Sequence, residues 1–480
     1  MSIVEKIFYH ADNNPNKSAV IFKDKVHSYK TLALDIKASS EALQKHGCKK
    51  NNKVILRAAN TYQFICVYFA IHLIGAIVVL IPSERDEAFE LLVSKVTHAS
   101  FKIEDSAFFC KDNKSYEFLS DFKCVINSNN LADIVFSSGT TGDPKGVPIS
   151  HGKQYLATEN IINHVKNNSE DTELILMPLS HSFGMGRLRS VLFAGGSMII
   201  GPAIFNLKEI FHYLKEYNVN GLGLVPSAWN ILRKLSRDYI IKFSNQIKYI
   251  EFGSAYLAKE EKKFISESFP GTNLVMHYGL TELSRALFIN FHEDDLGAIG
   301  KLQKNVSVKI VDSNGKVIPN GDSGEIILQS SWMLEEYYNS NELNMHAFQL
   351  DHIRTGDLGK IVDGYLYLTG RLKEIINVGG RQISPYYIED KLSLLSFIEE
   401  SACIGVPHEE MGESIVAFVV IKESMSNPEN DIKNQIHSLI VELMPAYMIP
   451  KKIILIDSIP KTSSGKIMRH KLHLLMKDYA

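Results

Sequence analysis

Neither sign of charge prevails in this chain. Lys and Arg number 52 against 54 Asp and Glu, a formal net charge of −2. No basic field is available to hold a nucleic acid, so none is expected as a partner. Cysteine is scarce, with Cys48, Cys66, Cys110, Cys124 and Cys403 the whole complement. None of them has CxxC or metal-ligand spacing, so disulfides are not expected and a reducing cytoplasm is the expected compartment. A secretory leader is not expected, because Glu5 falls where its apolar core would lie. Internal repeats and low-complexity tracts are absent. Long hydrophobic runs are limited to one, 64–82, which is nearly uncharged and close to spanning length. His72 and Gly75 inside it, and Pro82 closing its β-branched end, fit a buried helix broken at Gly75 and followed by a buried strand. No membrane span is expected.

What is present is a globular composition, 45% apolar and 22% charged, over 480 residues. That length is too great for one ordinary core and suggests two or three. Helical patterns over 29–47 and 86–98 flank a strand pattern at 53–56. From 131 to about 290 short β-rich runs (174–177, 197–200, 219–225, 247–252, 274–278) alternate with helical ones (207–217, 227–235, 259–268). That alternation argues for α/β layers with largely parallel strands. Runs at 306–311, 324–328 and 365–368, with Asn314-Gly315 and Asp363-Gly364 turns, read as hairpins of a small β-subdomain over 296–370, attached to the same body. After Gly370 a compact α+β unit follows, with helices at 385–395 and 431–443 and strands at 401–406, 415–421 and 452–456.

Chemistry concentrates first at Val135-Phe136-Ser137-Ser138-Gly139-Thr140-Thr141-Gly142-Asp143-Pro144-Lys145-Gly146-Val147. A β-branched strand end runs into hydroxyls and glycines, which let backbone N–H groups approach an anion, and Lys145 adds a point charge. The run is either a plain Gly/Ser turn or a phosphate cradle. It is not the ordinary P-loop, because Pro144 precedes the lysine and Gly146 follows it. It resembles the phosphate loop of the adenylate-forming superfamily that includes acyl-CoA synthetases, peptide-synthetase adenylation domains and firefly luciferase.

Six further stretches resemble that superfamily in its own order. Met177-Pro178-Leu179-Ser180-His181-Ser182-Phe183-Gly184 resembles the ligase motif whose histidine lies between the acyl pocket and the thiol's path, which implies that role for His181. Gly253-Ser254-Ala255 resembles the loop along adenine and the acyl pocket. In Met276-His277-Tyr278-Gly279-Leu280-Thr281-Glu282, Tyr278 resembles the residue packed on adenine, Thr281 the phosphate contact and Glu282 the magnesium ligand, while His277 replaces the usual glutamine. Asp357 in Arg354-Thr355-Gly356-Asp357 matches the acceptor for both ribose hydroxyls. In 370–381, Arg371 resembles the nucleotide-binding arginine, Lys373 the hinge, and Gly379, Gly380 and Arg381 the passage of the pantetheine arm. Lys466, in Pro460-Lys461-Thr462-Ser463-Ser464-Gly465-Lys466-Ile467, matches the lysine that reaches the carboxylate and the α-phosphate.

The resemblance implies an α/β fold with layered N-terminal subdomains and a small β-subdomain over 1–370, and a mobile α+β C-terminal domain over 371–480. It implies ATP, Mg²⁺ and CoA, and an acid–thiol ligase that makes acyl-AMP from a small or medium carboxylic acid. The runner-up acceptor is the phosphopantetheine of an acyl-carrier protein. A long-chain acyl-adenylate ligase would carry an insertion not seen here, and intact Lys466, Glu282 and Asp357 argue against a non-catalytic binding protein. Nothing in the sequence singles out a luciferase-like oxygenase. Arg187, Arg189 and Arg285 either form ordinary ion pairs or face the pocket, where a polar or second carboxylate group on the acid would meet them. Phe183 and Trp229 either line the acyl pocket or belong to the core.

Overall fold

The computed structural model describes residues 2–83, 85–103, 108–110, 126–137, 145–422, 429–462 and 465–476. The long apolar segment folds as its breakers dictate. The Thr61 side chain caps the helix Tyr62–Ile74, Gly75 ends it in the left-handed region at φ 76, and the strand Ile77–Pro82 follows, buried throughout. A helix apolar on every side belongs in a core, and residues 64–71 are fully buried. Among the described residues no helix is long and apolar enough to cross a membrane.

One sheet runs in the order Phe101–Ile103, Lys53–Ala58, Ile77–Pro82, Leu131–Ser137, Lys145–Ser150. Its first four strands are parallel and the last is antiparallel. Leu131–Ser137 and Lys145–Ser150 therefore bracket the phosphate-loop stretch, with Ser137 opposite Lys145. Ser138, Gly139, Thr140 and Thr141 lie outside the described residues.

A second sheet has 14 strands. Its parallel centre runs Ser197–Ile200, Thr172–Ile175, Gly221–Leu224, Tyr249–Phe252, Asn273–Leu280. The helices Ser182–Ala194, Leu207–Glu216, Pro226–Ser236 and Lys259–Ser268 alternate with these strands, as the sequence pattern predicts. Asn273–Leu280 then pairs antiparallel with Ser284–Asn290. The expected β-subdomain has its own core around Val306, Ile310, Ile326 and Leu366. It is attached to the same body, as expected: through Gly300–Lys301 it extends the main sheet, which pairs backbone groups across the junction. Asp363 and Gly364 both take positive φ, 49 and 79, the conformation that a tight hairpin turn requires.

A third, five-stranded sheet is built from residues after Glu374. The helices Pro385–Ser393 and Glu429–Leu443 pack on it around a separate core that includes Ile388, Ile436 and Ile440. The connection from the second sheet is short. The strand Tyr365–Arg371 passes directly into the single turn Leu372–Glu374. Across the cleft between these parts, the Tyr256 hydroxyl donates to Asp390 at 2.8 Å and the Lys234 ammonium to Glu399 at 3.1 Å.

Candidate active site

A cavity of about 890 Å³ occupies that cleft, bordered by residues as far apart in sequence as Ser182 and Arg469. Ser254, Ala255, His277, Tyr278, Gly279, Thr281, Asp357, Arg371 and Lys466 all line its wall. Of the seven stretches that the resemblance singles out, all but 135–147, which is only partly described, contribute residues to this wall.

Asp357 and Arg371 are opposite each other in an antiparallel pair. Arg371 Nε stands 2.6 Å from Asp357 Oδ1, yet off the line of a hydrogen bond, so this buried oxygen has no aligned donor. The other carboxylate oxygen accepts from the Tyr278 hydroxyl at 2.7 Å. Burial, then the charge of Asp357, pushes the Tyr278 phenol well above its usual range, so it remains a donor. A buried acceptor left over in this way costs free energy unless a ligand hydroxyl completes it.

Lys466 reaches the cavity because Gly465 allows it. A Cβ at Gly465 would stand 2.8 Å from Ser227 Oγ, and its φ of +82 also favours glycine. Lys466 is exposed and lines the cavity, close against its wall. Burial, then Arg371, lowers its pKa, with Asp357, Glu282 and Glu374 opposing. Arg371, Asp357 and Glu374 line the cavity.

Glu282 sits in the turn between Asn273–Leu280 and Ser284–Asn290. Its Oε1 accepts from the Tyr337 hydroxyl at 2.8 Å, and the Lys145 ammonium lies 5.3 Å from the centre of the Tyr337 ring. Glu282 and Thr281 border a smaller cavity of about 30 Å³. Glu282 itself is not on the main cavity's lining, and neither is Gly253, which lies behind the His277 ring.

The thiol-path residues are elsewhere. His181 precedes the helix Ser182–Ala194 at its N-cap and does not border the cavity. Gly379 and Gly380 form the exposed turn between Ile376–Val378 and Arg381–Ile383, where both take positive φ, and Arg381 stacks on Tyr447 at 4.2 Å. Lys373 is in the exposed turn that joins the two parts.

Arg469 and Ser227 on the cavity wall, and Tyr337 behind Glu282, escaped the sequence reading. Arg469 bridges Glu374 at 2.8 Å and Glu389 at 2.6 Å beside Lys466. Its place three residues after Lys466 was the available signal. Tyr337 and Ser227 carried none, because both lie in stretches without a chemical pattern.

The three arginines are ion-paired, and one of them also borders the cavity. Arg187 is fully buried between Glu173, with which it makes a very short contact, and Glu251 at 3.0 Å. Arg285 Nε donates to Glu251 at 2.8 Å, and its Nη groups donate to the carbonyls of Ser182 and Phe183. Gly221 and Gly223 make room: a Cβ at Gly221 would strike the Tyr249 ring at 2.2 Å, and one at Gly223 would crowd Met177 at 2.7 Å and Arg187 at 3.3 Å. Arg189 pairs with Asp133 at 3.2 Å in a second buried cluster with His72 and Tyr68. Only Arg285 of the three lines the main cavity. Phe183 lines it as well, whereas Trp229 is core, its indole N–H donating to Glu261 at 2.7 Å.

Comparison with known proteins agrees with this layout. Residues 7–90 and 83–338 match the family described as AMP-binding enzyme, and 387–466 match the AMP-binding enzyme C-terminal domain. The chain belongs to this family of AMP-binding enzymes. It is similar to the oxalate–CoA ligase of Arabidopsis thaliana, 28% identical with 90% of each chain covered. It is also similar to 4-coumarate–CoA ligase 2 of Nicotiana tabacum, 26% identical over 93% of this chain and 89% of that one. The fold matches an anthranilate CoA ligase in complex with anthranoyl-AMP, with TM-score 0.87 and 22% identity over 99% and 97% of the two chains. ATP-bound MatB from Rhodopseudomonas palustris matches equally, with TM-score 0.87 and 23% identity over the full length of both. The chain is an enzyme of the acid–thiol ligase class, with the mixed α/β fold of adenylate-forming enzymes.

Proposed function

We propose that this chain activates a carboxylic acid with ATP and passes the acyl group to the thiol of CoA, in the cytoplasm. The observation that carries this reading is Lys466 beside Arg371, Asp357 and Glu282, although it comes from the far end of the chain.

A carboxylate is a poor electrophile, because its leaving group would be oxide. In the first step a carboxylate oxygen attacks the α-phosphorus of ATP, the α–β phosphoanhydride breaks, and pyrophosphate leaves. Two anions must be brought together, so the enzyme's work is positioning and charge stabilisation. Lys466 neutralises the attacking carboxylate and the α-phosphate. Thr281 donates to that phosphate, Arg371 adds charge beside it, and Lys145, in the stretch that resembles the family's phosphate loop, holds the outer phosphates. Asp357 receives the ribose hydroxyls, for which its buried Oδ1 without an aligned donor is suited. Tyr278, Gly279, Ser254 and Ala255 flank adenine.

Glu282 suits Mg²⁺, a hard cation commonly held by one carboxylate together with phosphate oxygens. Its Oε1 is anchored by Tyr337, so the carboxylate is fixed in direction. Bound there, the ion would offset triphosphate charge.

In the second step the thiol loses its proton, sulfur attacks the acyl carbonyl, and the C–O bond to AMP breaks. Residues 371–480 act as a mobile domain that turns about Lys373, removing Lys466 and bringing Gly379, Gly380 and Arg381 to the thiol's path beside His181. Their place on an exposed turn away from the cavity supports a separate thiol-accepting arrangement.

The test is a mass-spectrometric screen of ATP, Mg²⁺ and a carboxylic-acid library, with and without CoA. Acyl-CoA formation is the expected result. Acyl-adenylate that accumulates without thioester would overturn CoA as acceptor and point to a carrier protein.

A further inference from the structure

The identity of the acid is read from the cavity floor, where this chain carries a histidine at position 277. We propose that the acid's far end bears a neutral hydrogen-bond donor, a hydroxyl or an aromatic amine, received by Nε2 of His277. This rests on the ligase reading above and narrows its substrate class.

Three observations carry the inference. The first is where the ring lies. His277 borders the cavity with its side chain only 8% exposed. Its Cε1–Nε2 edge passes over Gly253, where a Cβ would come within 2.0 Å of Cε1 and 2.3 Å of Nε2. Phe183 meets the ring edge to face at 4.8 Å. The ring is therefore built into the wall and occupies space that Gly253 leaves open.

The second is the tautomer. Nδ1 stands 2.7 Å from Glu251 Oε1, out of line for an ideal hydrogen bond. A carboxylate oxygen so near a ring nitrogen repels a lone pair and favours N–H, so the proton belongs on Nδ1. Burial, aided by Arg285 and Arg187 and opposed by Glu251, lowers the imidazole pKa. The ring is then neutral, and Nε2 carries a lone pair. Among the described residues no group donates to it.

The third is the charge balance beneath the ring. Arg187 and Arg285 face Glu173 and Glu251, two cations against two anions, all four nearly or fully buried. Glu251 is held well below its usual range; burial would raise it, but Arg285, Arg187 and His277 lower it further. Arg285 is committed through Nε to Glu251 and through both Nη groups to backbone carbonyls. Beside the His277 ring a second carboxylate on the substrate would find both guanidinium groups already committed, and burying it there unpaired would be costly. A donor meets an acceptor already in place, beside the apolar Phe183.

The experiment uses the full-length enzyme and matched acids on aryl and short alkyl scaffolds. Each scaffold ends in hydrogen, hydroxyl, amine, methoxy or a second carboxylate, and pyrophosphate release is followed with ATP and Mg²⁺. On the scaffold used best, the hydroxyl or amine acid is expected to exceed its methoxy and dicarboxylate partners in kcat/KM by at least about tenfold. His277→Ala should bring the hydroxyl-to-methoxy ratio to within about threefold, whereas His277→Gln, which keeps an acceptor oxygen, should retain more of it. Gly253→Ala, which displaces the ring, should reduce the ratio in the same direction. A methoxy or dicarboxylate acid used as well as the donor acid overturns the inference, and that result needs no variant. A preference unchanged in His277→Ala also overturns it. In either case the adenylates formed would leave the ligase reading standing. If no acid yields pyrophosphate, the ligase reading falls and the inference falls with it.

Discussion

The floor of the cavity and the part that closes over it are held by different interactions. Beneath the cavity, Arg187, Glu173, Glu251 and Arg285 are enclosed by a parallel sheet and a helix, with contacts of 2.8–3.0 Å around Glu251. Above it, residues after Glu374 meet the N-terminal part through the Tyr256–Asp390 hydrogen bond and the half-exposed Lys234–Glu399 pair. Buried charges are costly to leave unpaired and strongly fix their neighbours, whereas exposed pairs are worth little and re-form easily. The floor is thus suited to shape and specificity, and the upper part to movement.

The largest expected effect comes from breaking the floor. Glu251→Ala leaves two buried guanidinium groups short of a partner and should cost roughly 3–5 kcal/mol, read as a fall in the urea midpoint. A loss within error would show that the cluster is not what holds the floor. Next is the hinge. Lys373→Pro should leave acyl-AMP formation within about threefold and lower thioester formation at least about tenfold. Equal loss of both would mean that no rotation separates the steps.

A smaller effect should appear in the pH profile. An ordinary lysine titrates near about 10.4, and Lys466 lies below its ordinary value through burial and then Arg371. Raising the pH through that lowered value removes the ammonium, so adenylation should decline on an alkaline limb at lower pH than a free lysine would give. Thioester formation from supplied acyl-AMP should lack that limb. The smallest effect belongs to the exposed pair. Lys234→Ala should change stability by less than about 1 kcal/mol, checked by the same urea titration as Glu251→Ala, and a loss as large as that variant's would erase the contrast.

Much of this layout was legible in the sequence because local signals agreed with one another. The helix cap at Thr61, the break at Gly75 and the β-branched run after it are written side by side, and the chain obeys them. Ordered motifs brought Thr281, Asp357, Arg371 and Lys466 to one cavity. What stayed hidden depends on register between distant strands. Nothing near Glu173 or Glu251 signals that each lies opposite a glycine of Gly221–Leu224 and shares Arg187. The β-rich stretch joins the main body as expected, but the Gly300–Lys301 strand that links it is too brief to show a pattern. Tyr337 reaches Glu282 across 55 positions of sequence, which no local spacing encodes.

The most direct measurement separates the two half-reactions in Lys466→Ala. Acyl-AMP formation from acid and ATP should fall at least about 10²-fold, while transfer from supplied acyl-AMP to CoA stays within a few-fold of wild type. Normal adenylation, or equal loss in both half-reactions, would contradict an upper part that delivers Lys466 for one step and withdraws it for the other.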